Sequence, residues 1–232
     1  MEEKNKITFH HLFWYFIIFS ILGLLIETLF CYITMGIIES RKGLMYGPFC
    51  PIYGIGAACL IYVLDKYKEN NKKIFIYGAI AGSVIEYVLS FGLEAIYGSR
   101  FWDYEYKPFN LNGRICLTFS IYWGILSLLL MKGIRPKIDY YIDKLSGKKA
   151  FIIDTLLLIF FIFDVCMTVW AVNTYQDRIK AQYYNIEVQQ EDNLKTKIEN
   201  KLFSNEIMLK TFPNLRIRDN ENNLVFIRDL IE

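Results

Sequence analysis

Long apolar runs alternate with short polar connections through most of this chain, and the pattern stops about sixty residues before its end. A helix rises about 1.5 Å per residue, so about 20 apolar residues cross a bilayer core. On that measure the chain predicts five spans, at about 9–35, 48–65, 74–97, 114–132 and 151–173. The second is short and opens with Pro48 and Pro51, so a partly re-entrant course fits it too. The pattern makes residues 1–173 a transmembrane domain and 174–232 a polar tail. Overall this is an all-α, polytopic helix architecture.

The runs are not uniformly apolar. In the first, Ser20, Gly23, Glu27, Cys31 and Thr34 recur in steps of three and four and share one face. In the third, Gly78, Gly82, Glu86, Ser90 and Glu94 recur every four residues, and Gly78 and Gly82 form a GxxxG. In the fifth, Asp164, Thr168, Ala171 and Tyr175 share a face. Small and polar faces point at other helices rather than at lipid. The GxxxG predicts close helix approach, with a homodimer through Gly78 and Gly82 as one use of it.

The tail is polar and Asn-rich. Tyr175 to Gln190 reads as a continuation of the fifth helix beyond the lipid, and 202–209 as a short amphipathic helix. The alternation at 215–218 and 224–227 reads as a small hairpin. So short a segment cannot build a sizeable core alone.

Composition agrees with this picture: 54% of residues are hydrophobic, yet 22% are charged, and the charges collect in the connections and the tail. A net charge of +2 gives no basis for nucleic-acid binding. The first run is too long for the apolar core of a cleaved signal peptide and lacks a small-residue cleavage site, so it is expected to stay as a span. Basic residues set orientation. Lys4 and Lys6 precede the first span. Lys66, Lys68, Lys72 and Lys73 follow the second, and Lys132 to Lys149 follow the fourth. The other connections are poorer in Lys and Arg. The N-terminus is therefore expected inside and the C-terminal tail outside.

The five cysteines form no C-x-x-C pair and read as small packing residues. His10 and His11 are adjacent, point to different helix sides, and read as interfacial anchors rather than metal ligands. Neither a metal nor a cofactor is expected, and no Walker A motif is present.

The candidate chemistry lies in the acids. An ionised side chain at bilayer depth costs several kcal/mol unless paired, hydrated or protonated. Glu27, Glu86 and Asp164 fall well inside apolar runs, and Glu94 lies near the end of one. Arg114 opens the fourth span, and one arginine cannot neutralise four carboxylates. These five residues are the candidate substrate or ion site, in an outward-facing polar cavity. The plainer alternative is a fold-specifying ion pair between Arg114 and Glu86 or Glu94.

Two loops add to the site. Gly47, Pro48, Pro51, Tyr53 and Gly54 carry turn and helix-start signals. Trp102, Asp103 and Tyr104 form an aromatic-acidic cluster, and Asn110, Asn112 and Gly113 lead into Arg114. Asn112 is expected to cap the fourth span. Helix N-termini near Arg114 could receive an anion, while Trp102 and Tyr104 also suit interfacial anchoring.

The segments RKGLMYGPFCPIYGIGA (41–57) and FWDYEYKPFNLNGRICL (101–117), with Ser120 and Trp123-Gly124 after them, resemble the bacterial family labelled putative ABC-transporter type IV, or CmpB-like. The likeness covers roughly 9–175. It implies a multi-pass protein of the bacterial cytoplasmic membrane. The matching positions are Glu27, the GPFCPIYG block, Glu86, Glu94, Trp102 to Tyr104 and Asn110 to Arg114.

The leading expectation is a permease for a small ionic or amine solute, with the bilayer as its surroundings and a separate ATPase subunit recruited at 132–150. A membrane enzyme acting on a lipid or envelope substrate is the first alternative, though neither a catalytic triad nor a metal cluster supports it. A non-transporting assembly or sensor protein is the second.

Overall fold

The protein is described by a computed structural model that covers residues 7–97, 103–184, 193–218 and 224–231. Helices dominate. In chain order they are α1 (Phe9–Met35), α2 (Pro51–Leu64), α3 (Asn71–Tyr97), α4 (Leu117–Leu128), α5 (Arg135–Lys144), α6 (Gly147–Tyr183), α7 (Leu194–Leu202), α8 (Asn205–Thr211) and α9 (Arg228–Ile231). A 3-10 turn follows α2, and a π-helical turn, Leu129–Ile134, joins α4 to α5. Strands β1 (Asn110–Leu111) and β2 (Ile115–Cys116) pair antiparallel, as do β3 (Arg216–Arg218) and β4 (Leu224–Phe226).

Four stretches are long and apolar enough to cross a membrane: Phe9–Met35, Asn71–Gly92, Leu117–Lys144 and Gly147–Tyr183. The 14-residue α2 is about 21 Å long, short of a hydrocarbon core of about 30 Å. Segment 48–65 thus holds a short helix, unlike the four full-length stretches. In α1 the hydroxyls of Ser20, Thr28 and Thr34 each donate to the carbonyl four residues back, at 2.7–2.8 Å, so none stays unsatisfied among apolar neighbours. Gly36 ends the helix at φ 72° and donates its N–H to the Tyr32 carbonyl at 2.9 Å. A left-handed glycine is a common helix stop.

The fourth helix differs from the expected 114–132 at both ends. It starts at Leu117, because Ile115 and Cys116 first pair back onto Asn110 and Leu111. It then runs through the π turn to Lys144. Pro136 lacks the N–H that an α ladder needs, and a wider turn just before it absorbs that loss. The expected helix over 202–209 is instead two helices. They break at Phe203, and Ser204 caps the second by accepting the Ile207 N–H at 3.3 Å. The hairpin strands pair as read from the sequence; their connection, 219–223, lies outside the described residues. So do 185–190 of the expected helical continuation, which reaches Tyr183.

The chain divides into two compact units, Met1–Ser20 with Ile52–Thr155, and Ile21–Pro51 with Leu156–Glu232. In the first, Tyr15, Leu60, Ile61, Leu64, Ile74 and Met131 form the core. Gly54 of α2 lies directly on α1: a Cβ there would come within 2.3 Å of the Phe16 carbonyl and the Ser20 hydroxyl. Gly78 and Gly82 of α3 meet Ser127 and Trp123 of α4 just as closely. The close approach that the GxxxG predicts is thus made within the chain, to α4. In the second unit, Phe203, Met208, Ile217 and Ile227 of the tail pack with Met45, Ala171, Tyr175 and Ile179. The tail's apolar residues therefore share a core with α6 instead of forming their own.

Many large apolar side chains stay exposed: Leu25, Leu29 and Ile33 on α1, Ile80, Val84, Val88 and Phe91 on α3, Leu156 and Ile159 on α6. Water tolerates few such contiguous patches, and hydrocarbon favours them.

Candidate functional site

In the first unit the site is built around Glu86. This side chain is buried on α3. The Tyr104 hydroxyl donates to Oε1 at 3.0 Å, and the Trp123 indole N–H donates to Oε2 at 2.9 Å. Both donors are neutral. A carboxylate has about four acceptor positions, so each oxygen can take one more donor. One turn away, the hydroxyls of Ser83 and Ser120 share a hydrogen bond at 2.6 Å. A cavity of about 480 Å³ lies along α3, lined mainly by apolar side chains together with Ser83, Tyr87 and Ser120.

The loop before α4 holds Tyr104 in place. Its N–H donates to the Gly113 carbonyl at 2.8 Å, and its ring stacks on Phe119 with centroids 4.5 Å apart. Asn110 closes the turn: its amide donates to the Lys107 carbonyl at 2.8 Å, and its Oδ1 accepts the Gly113 N–H at 3.0 Å. Asp103 accepts the Glu105 N–H at 2.9 Å. Asn112 sits at φ 53° in the hairpin turn and donates to the Tyr87 hydroxyl at 3.0 Å. It therefore braces the turn and does not cap α4, whose N-cap position is Cys116. Burial, then the negative charge and hydrogen bond of Glu86, push the Tyr104 phenol above its ordinary pKa. Trp102 lies outside the described residues.

Arg114 is buried and pairs with Glu94. It also donates to Ser90 at 3.1 Å and lies 5.4 Å from the Phe91 ring centre. The structure thus brings Arg114 to Glu94, the ion-pair alternative named above, while Glu86 is held by Tyr104 and Trp123.

The histidines have partners that their spacing did not show. His10 meets Asp154 at 2.5 Å, and Trp14 donates to the same carboxylate at 2.9 Å. His11 meets Asp143 at 3.0 Å. Nearby, Arg135 bridges Asp65 at 2.5 Å and Asp139 at 3.2 Å, and Tyr15 donates to Asp139.

In the second unit Asp164 is fully buried on α6. Its Oδ1 accepts the Tyr46 N–H at 2.9 Å. Its Oδ2 has no hydrogen-bond partner among the described residues. One turn on, the Thr168 hydroxyl accepts the Met45 N–H at 2.8 Å and donates to the Asp164 carbonyl at 2.7 Å. Another two turns on, the Tyr175 hydroxyl is also buried without a partner among those residues. The loop that contains Gly47, Pro48 and Pro51 is therefore tied to α6 through the backbone of Met45 and Tyr46. Gly47 makes its turn at φ 69°, Pro48 is exposed, and Pro51 opens α2. Glu27 is half-buried on α1, within electrostatic reach of Arg41. Tyr53 is partly exposed on α2.

Reading the sequence missed Trp123 and Thr168 as partners. Trp123 carried a usable signal: an indole N–H inside an apolar run needs an acceptor. Thr168 was seen only as part of a helix face.

No group of His, Cys, Asp and Glu among the described residues could hold a metal ion. The model of a family described as Putative ABC-transporter type IV matches residues 14–169, and the chain belongs to that family. No curated protein and no solved structure matches it.

Proposed function

We propose that this family member is a permease-type subunit of the bacterial cytoplasmic membrane, in which intramembrane carboxylates receive a small cation or amine. Glu86 and Asp164 are the principal acceptors. Glu27 adds negative charge, and Arg114 acts by fixing Glu94. The observation that carries the reading is the buried Glu86 carboxylate with only neutral donors on it among the described residues. Such a group, inside a helix of membrane-spanning length, has its geometry set and its charge unmatched, and an arriving cation supplies the match. The unpartnered Oδ2 of Asp164 supports the same reading.

The basic connections favour an N-terminus inside and the tail outside, with 1–173 as the membrane domain. A separate ATPase subunit would then meet the inner side. There, α5 and the start of α6 expose Lys137, Lys144, Lys148 and Lys149, a surface suited to an acidic partner.

The test is amine- or cation-dependent tryptophan emission of the protein in proteoliposomes, paired with complementation of a null strain. The indole of Trp123 touches Glu86, so a ligand there should change its emission. Glu86→Gln should abolish the change and impair complementation while membrane insertion stays normal. Full complementation by both Glu86→Gln and Asp164→Asn would overturn the reading.

A further inference from the structure

A second cavity, of about 450 Å³, lies in the second unit. That volume suits a small-molecule site. One wall is the loop after α1, with Ser40, Arg41 and Lys42; the facing wall is the end of α8, with Leu209 and Lys210. Leu24 and Ile38 supply apolar surface.

Arg41, Lys42 and Lys210 make the cavity wall cationic. Glu39 is also part of the wall, but its carboxylate is already engaged: Arg228 donates at 3.1 Å and Asn214 at 3.3 Å. Glu27 acts on Arg41 through space. Asp164 spends its Oδ1 on the Tyr46 N–H. Arg228, which is not part of the wall, pairs with Asp229 at 3.7 Å as well as with Glu39, so within the wall itself Arg41, Lys42 and Lys210 stand against a single, shared carboxylate. Neither Lys42 nor Lys210 has an ion-pair partner among the described residues.

Arg41 is also poorly matched. Its Nη2 donates to the Cys31 sulfur at 3.0 Å and stands 3.7 Å from Glu39, and its Nε is buried with no partner among the described residues. Thiols are weak acceptors. Guanidinium and ammonium groups beside hydroxyls form the usual setting for a phosphate oxygen.

We infer that this cleft binds the phosphate group of an anionic amphiphile, a membrane phospholipid head group with its first acyl carbons against Leu24 and Ile38. The location favours lipid over free phosphate. The cleft's loop wall follows directly on α1, which lines it with Leu24 and Thr28, ends at Met35 and exposes Leu25, Leu29 and Ile33. Phospholipid head groups sit at the ends of membrane-spanning helices, where guanidinium and ammonium groups can pair with their phosphates. The inference is independent of the cation site at Glu86.

The test is lipid retention by the full chain, read by native mass spectrometry after reconstitution in nanodiscs of phosphatidylcholine with phosphatidylglycerol. Wild-type protein should keep phosphatidylglycerol selectively. The double variant Lys42→Gln with Lys210→Gln should cut that selectivity by about tenfold, equivalent to about 1.4 kcal/mol, without altering thermal unfolding. Lys201→Gln, outside the cleft, should change nothing. Equal retention of the two lipids, or unchanged selectivity in the double variant, would overturn the proposal. So would binding of inorganic phosphate in the phosphatidylcholine discs with no preference for phosphatidylglycerol in the others, which would assign the cleft to a soluble anion.

Discussion

Trp123 donates its indole N–H to Glu86 at 2.9 Å while its ring lies against Gly82, one turn along the same helix. Packing and hydrogen bonding thus depend on one side chain. A Cβ at position 82 would stand 2.4 Å from the ring. Gly82→Leu should displace the indole, costing about 1–3 kcal/mol for overpacking, and Glu86 should lose a donor. Thermal unfolding in detergent gives the first effect, and a shift in tryptophan emission gives the second.

Arg114 and Glu94 should respond unequally to mutation. Arg114 is almost fully buried, whereas the Glu94 side chain keeps about a third of its exposure. Arg114→Ala removes a cation that also holds Ser90, and should cost about 2–4 kcal/mol. Glu94→Gln keeps an acceptor for the guanidinium at a site water can reach, and should cost less. Reversal of that order in paired unfolding curves would contradict the assignment.

The pKa of Tyr104 is raised in the folded protein, so the fold favours the neutral phenol. Its contribution to stability is full below the unfolded value of about 10 and is lost as pH rises through the higher folded value. Tyr104→Phe should therefore be destabilising to a constant extent between pH 7 and 9, and the gap should close under strongly alkaline conditions. Unfolding temperatures of the two proteins across that range test the sign.

At Asp164 two substitutions separate structure from function. Asp164→Ala leaves the buried Tyr46 N–H without its acceptor and should cost about 1–3 kcal/mol. Asp164→Asn keeps an oxygen for that N–H and should fold nearly as well, yet fail in cation-dependent assays. Equal stability loss in both would mean the charge itself holds the loop.

Removing the tail after residue 184 should not leave an intact remainder. Met45, Ala171, Tyr175 and Ile179 would lose the cover of Phe203, Met208 and Ile217. The Arg178 guanidinium would lose the Phe203 carbonyl at 3.0 Å and Asn205 at 2.9 Å. Limited proteolysis should then cut more readily within 39–50, where Thr211, Asn214 and Arg228 of the tail hold Ser40 and Glu39 in the full chain.

The long apolar runs carried α1, α3 and α6 plainly in the sequence, because length and hydropathy alone define a membrane-spanning helix. The start of α4 was not legible. Ile115 and Cys116 are as apolar as the helix after them, and only their pairing with Asn110 and Leu111 keeps them out of it. The acids were legible as charges in the wrong medium, but their partners were not. Trp123 lies 37 residues from Glu86, and Tyr46 lies 118 from Asp164, separations that periodicity does not reach. For Arg114 the sequence narrowed the partner to Glu86 or Glu94, and only the fold selects Glu94.

The π turn at Leu129–Ile134 holds one more residue per hydrogen-bonded loop than the helices on either side. Losing a single codon there would rewind it to ordinary pitch and swing everything beyond by about 100°. Arg135 and Asp139 would turn away from Asp65 and Tyr15, their partners across the fold. That stretch therefore tolerates exchanges of side chain far better than any change in length, and relatives with a deletion at Gly133 should lack the whole arginine-centred network.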